Sequence, residues 1–136
     1  MTDETTHDRQ WAYALLRFIL GINIFLHGAV RVPKWAAFAE GITQAFAGTV
    51  LPAVLVRAFA YVLVPWEVVV GALLVIGWRT REALVAGSLL MAALVFGTAL
   101  REQWDGLATQ MLYVLIYFVL LHFRQYNAWA VDTWRG

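Results

Sequence analysis

Four stretches of the chain stay apolar for close to twenty residues with almost no charge: 11–30, 53–77, 83–100 and 106–123. A hydrocarbon core about 30 Å thick is crossed by roughly 20 residues of α-helix, so each stretch predicts a transmembrane helix. Apolar and polar residues do not alternate along them, which excludes a β-barrel pattern, and backbone in lipid must satisfy its own hydrogen bonds. The expected fold is therefore all-α, an integral membrane four-helix bundle forming a single domain over 1–136 without internal repeats. The first ten residues are polar and lack a signal peptide's basic leader and cleavage site, so the first helix is expected to stay. Two connections are tight turns, at 79–82 and 101–105. The stretch 31–52 is longer. Within it Trp35, Phe38, Ala39, Ile42, Ala45 and Phe46 recur at helical spacing. That spacing predicts a short amphipathic helix at the membrane interface over 33–48, with a soluble loop as the alternative.

Composition agrees with this reading and narrows the function classes. The 136 residues are 62% hydrophobic and 14% charged, with a mean hydropathy of +0.67. Soluble domains carry about 45–50% apolar and about 25% charged residues, so an ordinary soluble domain and a disordered chain are both excluded. A net charge of +1 supplies no field for nucleic acid. The absence of cysteine excludes disulfides, thiolate metal sites and thiol redox chemistry by this chain itself. Trp11, Trp78, Trp104 and Trp129 fall near helix ends, as in the aromatic belts of membrane proteins. With four helices both termini share one side, which holds Arg9, Arg79, Arg81, Arg124 and Arg135. The other side holds Arg31, Lys34, Arg101 and Arg57. The excess predicts both termini in the cytoplasm.

Ionisable groups inside a membrane are costly and point to function by default. Glu67 lies deep in the second helix, two residues after Pro65. Proline cannot donate to the Tyr61 carbonyl, which predicts a kink and a freed backbone acceptor. At about 1.5 Å per residue, Arg17 and Glu67 lie roughly 9 Å and 16 Å from the same membrane side, which predicts a buried Arg17–Glu67 ion pair. Such a pair reads either as a structural clasp fixing helix register or as part of a site. In the first helix Asn23 and His27 share a face, with Arg17, Gly21 and Gly28 on the neighbouring one. Phe18, Ile22, Phe25 and Leu26 point towards lipid, and the two glycines allow close helix approach. In the fourth helix Gln110, Tyr113, Tyr117 and Arg124 form one stripe, with Tyr117 near the depth of Glu67. Its phenol either bonds that carboxylate or a ligand, or packs and bonds neighbouring backbone. In the third helix Ala83/Gly87 and Ala93/Gly97 read as packing pairs. His27 and His122 sit at incompatible depths and no metal-ligand cluster is present, so no metal or haem site is expected. No catalytic motif is evident.

These residues carry a resemblance. The run Arg17-Phe-Ile-Leu-Gly21, continuing through Phe25-Leu26-His27-Gly28 to Arg31, resembles the first helix of DoxX/DoxD-like membrane proteins, with Arg31 where lysine is common. Glu67-Val-Val-Val-Gly71 and Gly77-Trp-Arg-Thr80-Arg81 resemble the family's second helix and following turn, and Ala130-Val131-Asp132 its closing signature. The resemblance covers residues 11–132 and implies four membrane helices with both termini inside. It also implies a link to quinone-dependent oxidoreduction, since DoxD relatives form the membrane subunit of a thiosulfate:quinone oxidoreductase alongside a second subunit. On that reading a quinone, not covalently held, binds near Glu67 with Arg17, Asn23, His27, Trp66, Tyr113 and Tyr117 as lining. Glu67 or His27 exchanges its protons, and the electron donor is a redox partner subunit. The alternatives are a non-catalytic anchor, scaffold or assembly factor, and a small transporter that would have to be a homo-oligomer to enclose a pore.

Overall fold

The computed structural model describes residues 3–134, and every element among them is helical. Arg135, counted above on the terminal side, lies outside the described residues. The order is α1 (Asp3–Ala29), a 3-10 turn (Val32–Lys34), α2 (Trp35–Ala45), α3 (Ala53–Ile76), α4 (Thr80–Leu100), α5 (Trp104–His122), a second 3-10 turn (Arg124–Tyr126) and α6 (Val131–Trp134). Three of these helices match the predicted spans to within a few residues. α1 starts earlier because Asp3 and Glu4 suit a helix N-terminus, so the polar leader continues the helix. Four spans are long and apolar enough to cross a membrane, and the first of them takes α1 and α2 together, Asp3–Ala45. The protein is a multi-pass, all-α membrane bundle.

α3 is the central element. α1 packs antiparallel to it, and glycines set how closely. A Cβ added at Gly21 would lie 2.7 Å from the Val75 nitrogen, and one at Gly28 would lie 2.7 Å from the Val64 oxygen. The Phe25 backbone fills the space a Cβ would need at Gly71. These contacts put Gly28 level with Val64 and Val68, so α1 ends about halfway along α3. The chain then breaks at Pro33 and resumes as α2. The Trp35 indole N–H donates to the Tyr61 carbonyl at 3.1 Å, and Arg57 pairs with Glu40 at 3.2 Å. As α2 advances its partners on α3 fall from Tyr61 to Arg57, so α2 carries on in the direction of α1. The helix expected over 33–48 is present, and it forms the second part of a broken first span. The acceptor that Pro65 frees, the Tyr61 carbonyl, is the one Trp35 occupies. α3 itself stays helical through the proline.

α4 packs on α3 and α5 on α4. The Trp66 indole donates to the Ala86 carbonyl at 3.1 Å, and the Tyr117 ring lies over Gly87. Ala83 is buried and Gly97 meets Phe46, whereas Ala93 of the second predicted packing pair is exposed. One apolar cluster, including Tyr13, Leu20, Leu74, Leu84, Tyr117 and Leu120, joins α1, α3, α4 and α5. α5 is peripheral: only 11% of its apolar window is buried. It meets α1 at the terminal end, where the Tyr13 hydroxyl donates to the Leu120 carbonyl at 2.6 Å.

The same end corrects the predicted ion pair. Arg17 is 2% exposed and donates to four oxygens: Leu74 O, Ala128 O and Trp129 O at 3.0 Å and Asn127 Oδ1 at 2.5 Å. It makes no contact with Glu67. Leu74 and Glu67 stand seven residues apart on α3, about 10 Å along the axis. The guanidinium turns away from Glu67 towards the tail, where backbone oxygens are concentrated. Glu67 is already neutralised by Arg31, at 3.0 Å. Arg17 therefore fastens the chain after α5 beneath the bundle. That tail packs Ala130 where Gly77 lacks a Cβ, and its Asp132 accepts the Arg79 and Thr80 N–H groups at 2.7 and 2.9 Å. Burial pushes the Asp132 carboxyl up, but hydrogen bonds from Thr80 and Arg79 and the charge of Arg17 outweigh it and hold the group below its ordinary value.

Candidate functional site

At the end of the bundle away from the termini, α2 and α5 stand apart over α3 and α4, and a cavity of about 690 Å³ lies between them. Phe38, Ile42 and Phe46, a stripe at four-residue spacing, form its α2 wall. Leu55, Phe59 and Leu63 of α3 and Met91, Leu94 and Phe96 of α4 continue the apolar surface, and α5 contributes Gln110 and Tyr113.

The polar groups are few and each is placed by an element. Glu67, on the buried face of α3, has a side chain only 6% exposed, and its partner Arg31 is 26% exposed. Arg31 reaches it from two residues beyond the end of α1, and its guanidinium also stacks 4.4 Å over the Phe38 ring. His27 lies beside them, its Nδ1–H donating to the Asn23 carbonyl at 2.8 Å. That bond leaves Nε2 as the acceptor of the neutral ring. The Tyr113 ring meets the His27 ring edge-on at 6.3 Å. Towards the far rim the Gln110 amide N–H donates to Thr98 Oγ1 at 2.8 Å, while its Oε1 is buried without a hydrogen-bond partner among the described residues. Arg101 stacks over Phe46 at 5.2 Å.

Of the seven predicted lining residues, the structure brings together His27, Glu67 and Tyr113. The other four lie elsewhere. Arg17 holds the tail. The Asn23 side chain is exposed outside the cavity and only its carbonyl is engaged. Trp66 lies in the groove between α3 and α4. Tyr117 is buried against Gly87, which is the packing part of the alternative; its hydroxyl makes a hydrogen bond neither to Glu67 nor to neighbouring backbone among the described residues. Sequence reasoning missed Arg31, Thr98, Arg101 and Phe38 as lining residues. It placed Gln110 on the right stripe, with Tyr113, without assigning it a role. Arg31 was read as a loop residue because a helix break inside the membrane and the end of a span leave the same trace.

An ion pair at the base of an apolar cavity is held in a low dielectric, where charge and proton position respond strongly to what binds. Gln110, in the same cavity wall, adds a buried amide oxygen with an unmet hydrogen bond. Among the described residues no group of three or more His, Asp or Glu is close enough to hold a metal. A scan against protein-family models, a search of curated proteins and a search of solved structures each found no match.

Proposed function

We propose that this protein is a quinone-binding membrane subunit of the DoxX/DoxD-like type, taking its ligand into the cavity between α2 and α5 and working with a separate redox subunit. The observation that carries this reading is the pairing, in one largely apolar cavity, of the Arg31–Glu67 pair with the orphaned Gln110 oxygen. The cavity volume of about 690 Å³ lies within the range usual for small-molecule sites. A ligand dissolved in the bilayer reaches a space between two helices without crossing water. A quinone supplies two-electron, two-proton redox chemistry when bound. The chain's own residues would orient it: Phe38 and Phe46 pack on it, the Gln110 Oε1 accepts from a hydroxyl of the reduced quinol form, and Glu67 and His27 are the groups able to hold a proton. With no cysteine in the chain, the electrons would come from the partner.

The placement of the motif residues supports the family reading. Arg17, Gly21, Gly28, Arg31, Glu67, Gly71, Gly77, Thr80 and Asp132 each occupy a defining contact of the bundle: the tail clasp, the α1–α3 approach, the intramembrane pair or the α4 cap. The charge pattern supports a cell-membrane orientation with cytoplasmic termini. Arg9, Arg79, Arg81 and Arg124 lie at the terminal end against Arg57 and Arg101 at the other, while Arg31 and Lys34 leave the count because they lie at the break between α1 and α2.

The test is mass spectrometry of the organic extract of protein purified in mild detergent, for the wild type, Gln110→Leu and Glu67→Gln. The expected result is near-stoichiometric quinone in the wild type and loss of it from both variants while they remain folded. Absence of quinone, together with no rise in melting temperature on adding a short-chain quinone, overturns the reading. One observation favours a second reading, a non-catalytic anchor or scaffold: α5 turns Leu112, Leu115 and Phe118 outward as a continuous apolar face. Variants that lose stability with no ligand to lose would favour it.

A further inference from the structure

A second cleft, of about 650 Å³, lies at the terminal end between the start of α4, the end of α5 and the tail. Its wall carries Arg79, Arg81 and Arg124 together with His122, Glu82 and Asp132. Nine lysines and arginines lie among the described residues, and five of them have partners. Arg9 bonds the Tyr126 hydroxyl, Arg17 the tail, Arg31 Glu67 and Arg57 Glu40, while Arg101 stacks on Phe46. The side chains of Lys34, Arg79, Arg81 and Arg124 have no ion pair or hydrogen bond. Three of those four share this cleft. Asp132 is a charged member of the same wall, held in place by the Arg79 and Thr80 N–H groups. Glu82 is the remaining anion. Three arginines against two carboxylates leave the cleft with a net positive charge, which attracts an anion.

Position says which counter-charge. Arg79 follows the end of α3 and Arg124 the end of α5, so the cleft lies where apolar helices leave the hydrocarbon. Trp78 and Trp129 are exposed at the same end, as interfacial tryptophans are. The cleft also continues onto lipid-facing surface: His122 in its wall stacks on Phe118, which is exposed on the outer face of α5. We infer that this cleft binds the headgroup of an anionic phospholipid, with the phosphate between Arg81 and Arg124 and an acyl chain along Phe118. Guanidinium forks match phosphate oxygens, and basic pockets at this level of a bundle attract anionic headgroups. The site is independent of the quinone cavity, which lies at the other end.

The experiment compares phosphatidylglycerol, phosphatidylcholine and inorganic phosphate as ligands of the detergent-solubilised protein, by native mass spectrometry and by melting temperature. The variants are Arg81→Gln/Arg124→Gln, a charge-matched control Lys34→Gln/Arg57→Gln outside the cleft, and Arg81→Lys/Arg124→Lys. Wild type should prefer phosphatidylglycerol by about tenfold or more over phosphatidylcholine, and the glutamine pair should lose about fivefold per arginine removed. The control should keep the preference and the lysine pair should retain part of it. Equal binding of the two lipids overturns the proposal, as does an equal loss in the control. Inorganic phosphate binding as well as phosphatidylglycerol would assign a free-anion site and overturn it as well.

Discussion

The placement of Arg31, and not Arg17, beside Glu67 makes a sharp energetic prediction. Arg31→Gln removes the partner of a carboxylate whose side chain is 6% exposed. Stripping one member from a buried pair costs about 3–5 kcal/mol, and the ability of Glu67 to take up a proton keeps the loss near the lower end of that range. Glu67→Gln costs less, about 1–2 kcal/mol, because Arg31 remains stacked on Phe38. At 26% exposure Arg31 can also reach water through the cavity mouth. The double variant Arg31→Gln/Glu67→Gln leaves two neutral amides able to bond each other. It should lose less than the two singles together, with a coupling of about 1.5–3 kcal/mol. The matching cycle on Arg17 and Glu67 should be additive to within about 0.5 kcal/mol. Reversible unfolding in mixed micelles, followed by circular dichroism against increasing sodium dodecyl sulfate, measures all four corners of each cycle. A coupling at Arg17–Glu67 as large as that at Arg31–Glu67 would refute the reasoning, and so would none at either.

Other outcomes follow from the same contacts. Arg17→Ala frees four buried acceptors and should destabilise by about 3–5 kcal/mol; limited proteolysis should then cut within 127–134, with Arg17→Lys recovering only part of the loss because an ammonium cannot span the four oxygens. Gly71→Leu drives a side chain into the Phe25 backbone and should cost about 3 kcal/mol or more, read as lost folded yield and melting temperature. Asp132 has a folded pKa below its unfolded one, so its contribution is complete above about pH 5 and fades as pH falls through the folded value. Asp132→Asn should flatten that acid limb of the melting curve, and an unchanged limb would count against the α4 cap. Gln110→Leu removes a buried unsatisfied oxygen and also the bond to Thr98, terms of about 1 kcal/mol each and opposite sign, so the ligand-free melting temperature should stay nearly unchanged even as the ligand contact is lost.

The fold was readable because a bilayer imposes length and polarity on every span. Apolar runs of the required length gave the helix limits, and Gly21 and Gly28 sit where α1 needed to approach α3. The proline rule found the free Tyr61 acceptor, though not the Trp35 that takes it. What periodicity could not supply was the axial offset between helices. The Arg17–Glu67 estimate counted residues from apolar boundaries, but α1 is registered on α3 by glycine contacts, which leave Arg17 level with Leu74. The clasp on the tail went unread for a related reason. Ala130-Val131-Asp132 stood out only by resemblance, and two of the tail oxygens that hold Arg17 are backbone carbonyls of Ala128 and Trp129, which carry no residue-type signal.

The α2 stripe explains why the cavity itself escaped notice. Phe38, Ile42 and Phe46 recur at the spacing of a helix lying on a membrane surface, and that pattern is the same whichever apolar medium the face meets. Arg31 and Arg101 separate the two cases. On a surface helix basic residues flank the stripe and reach for water. Here each guanidinium lies over a stripe phenylalanine, and both line the cavity. A cation stacked on a ring in a low-dielectric wall keeps most of its charge available to a ligand. The break at Pro33 makes this arrangement accessible. Arg31 itself comes before the break, two residues past Ala29 and still with helical backbone angles, so the chain does not carry it past Glu67. Ending α1 halfway along α3 puts an arginine at the depth of the carboxylate and turns the face of α2 towards α5.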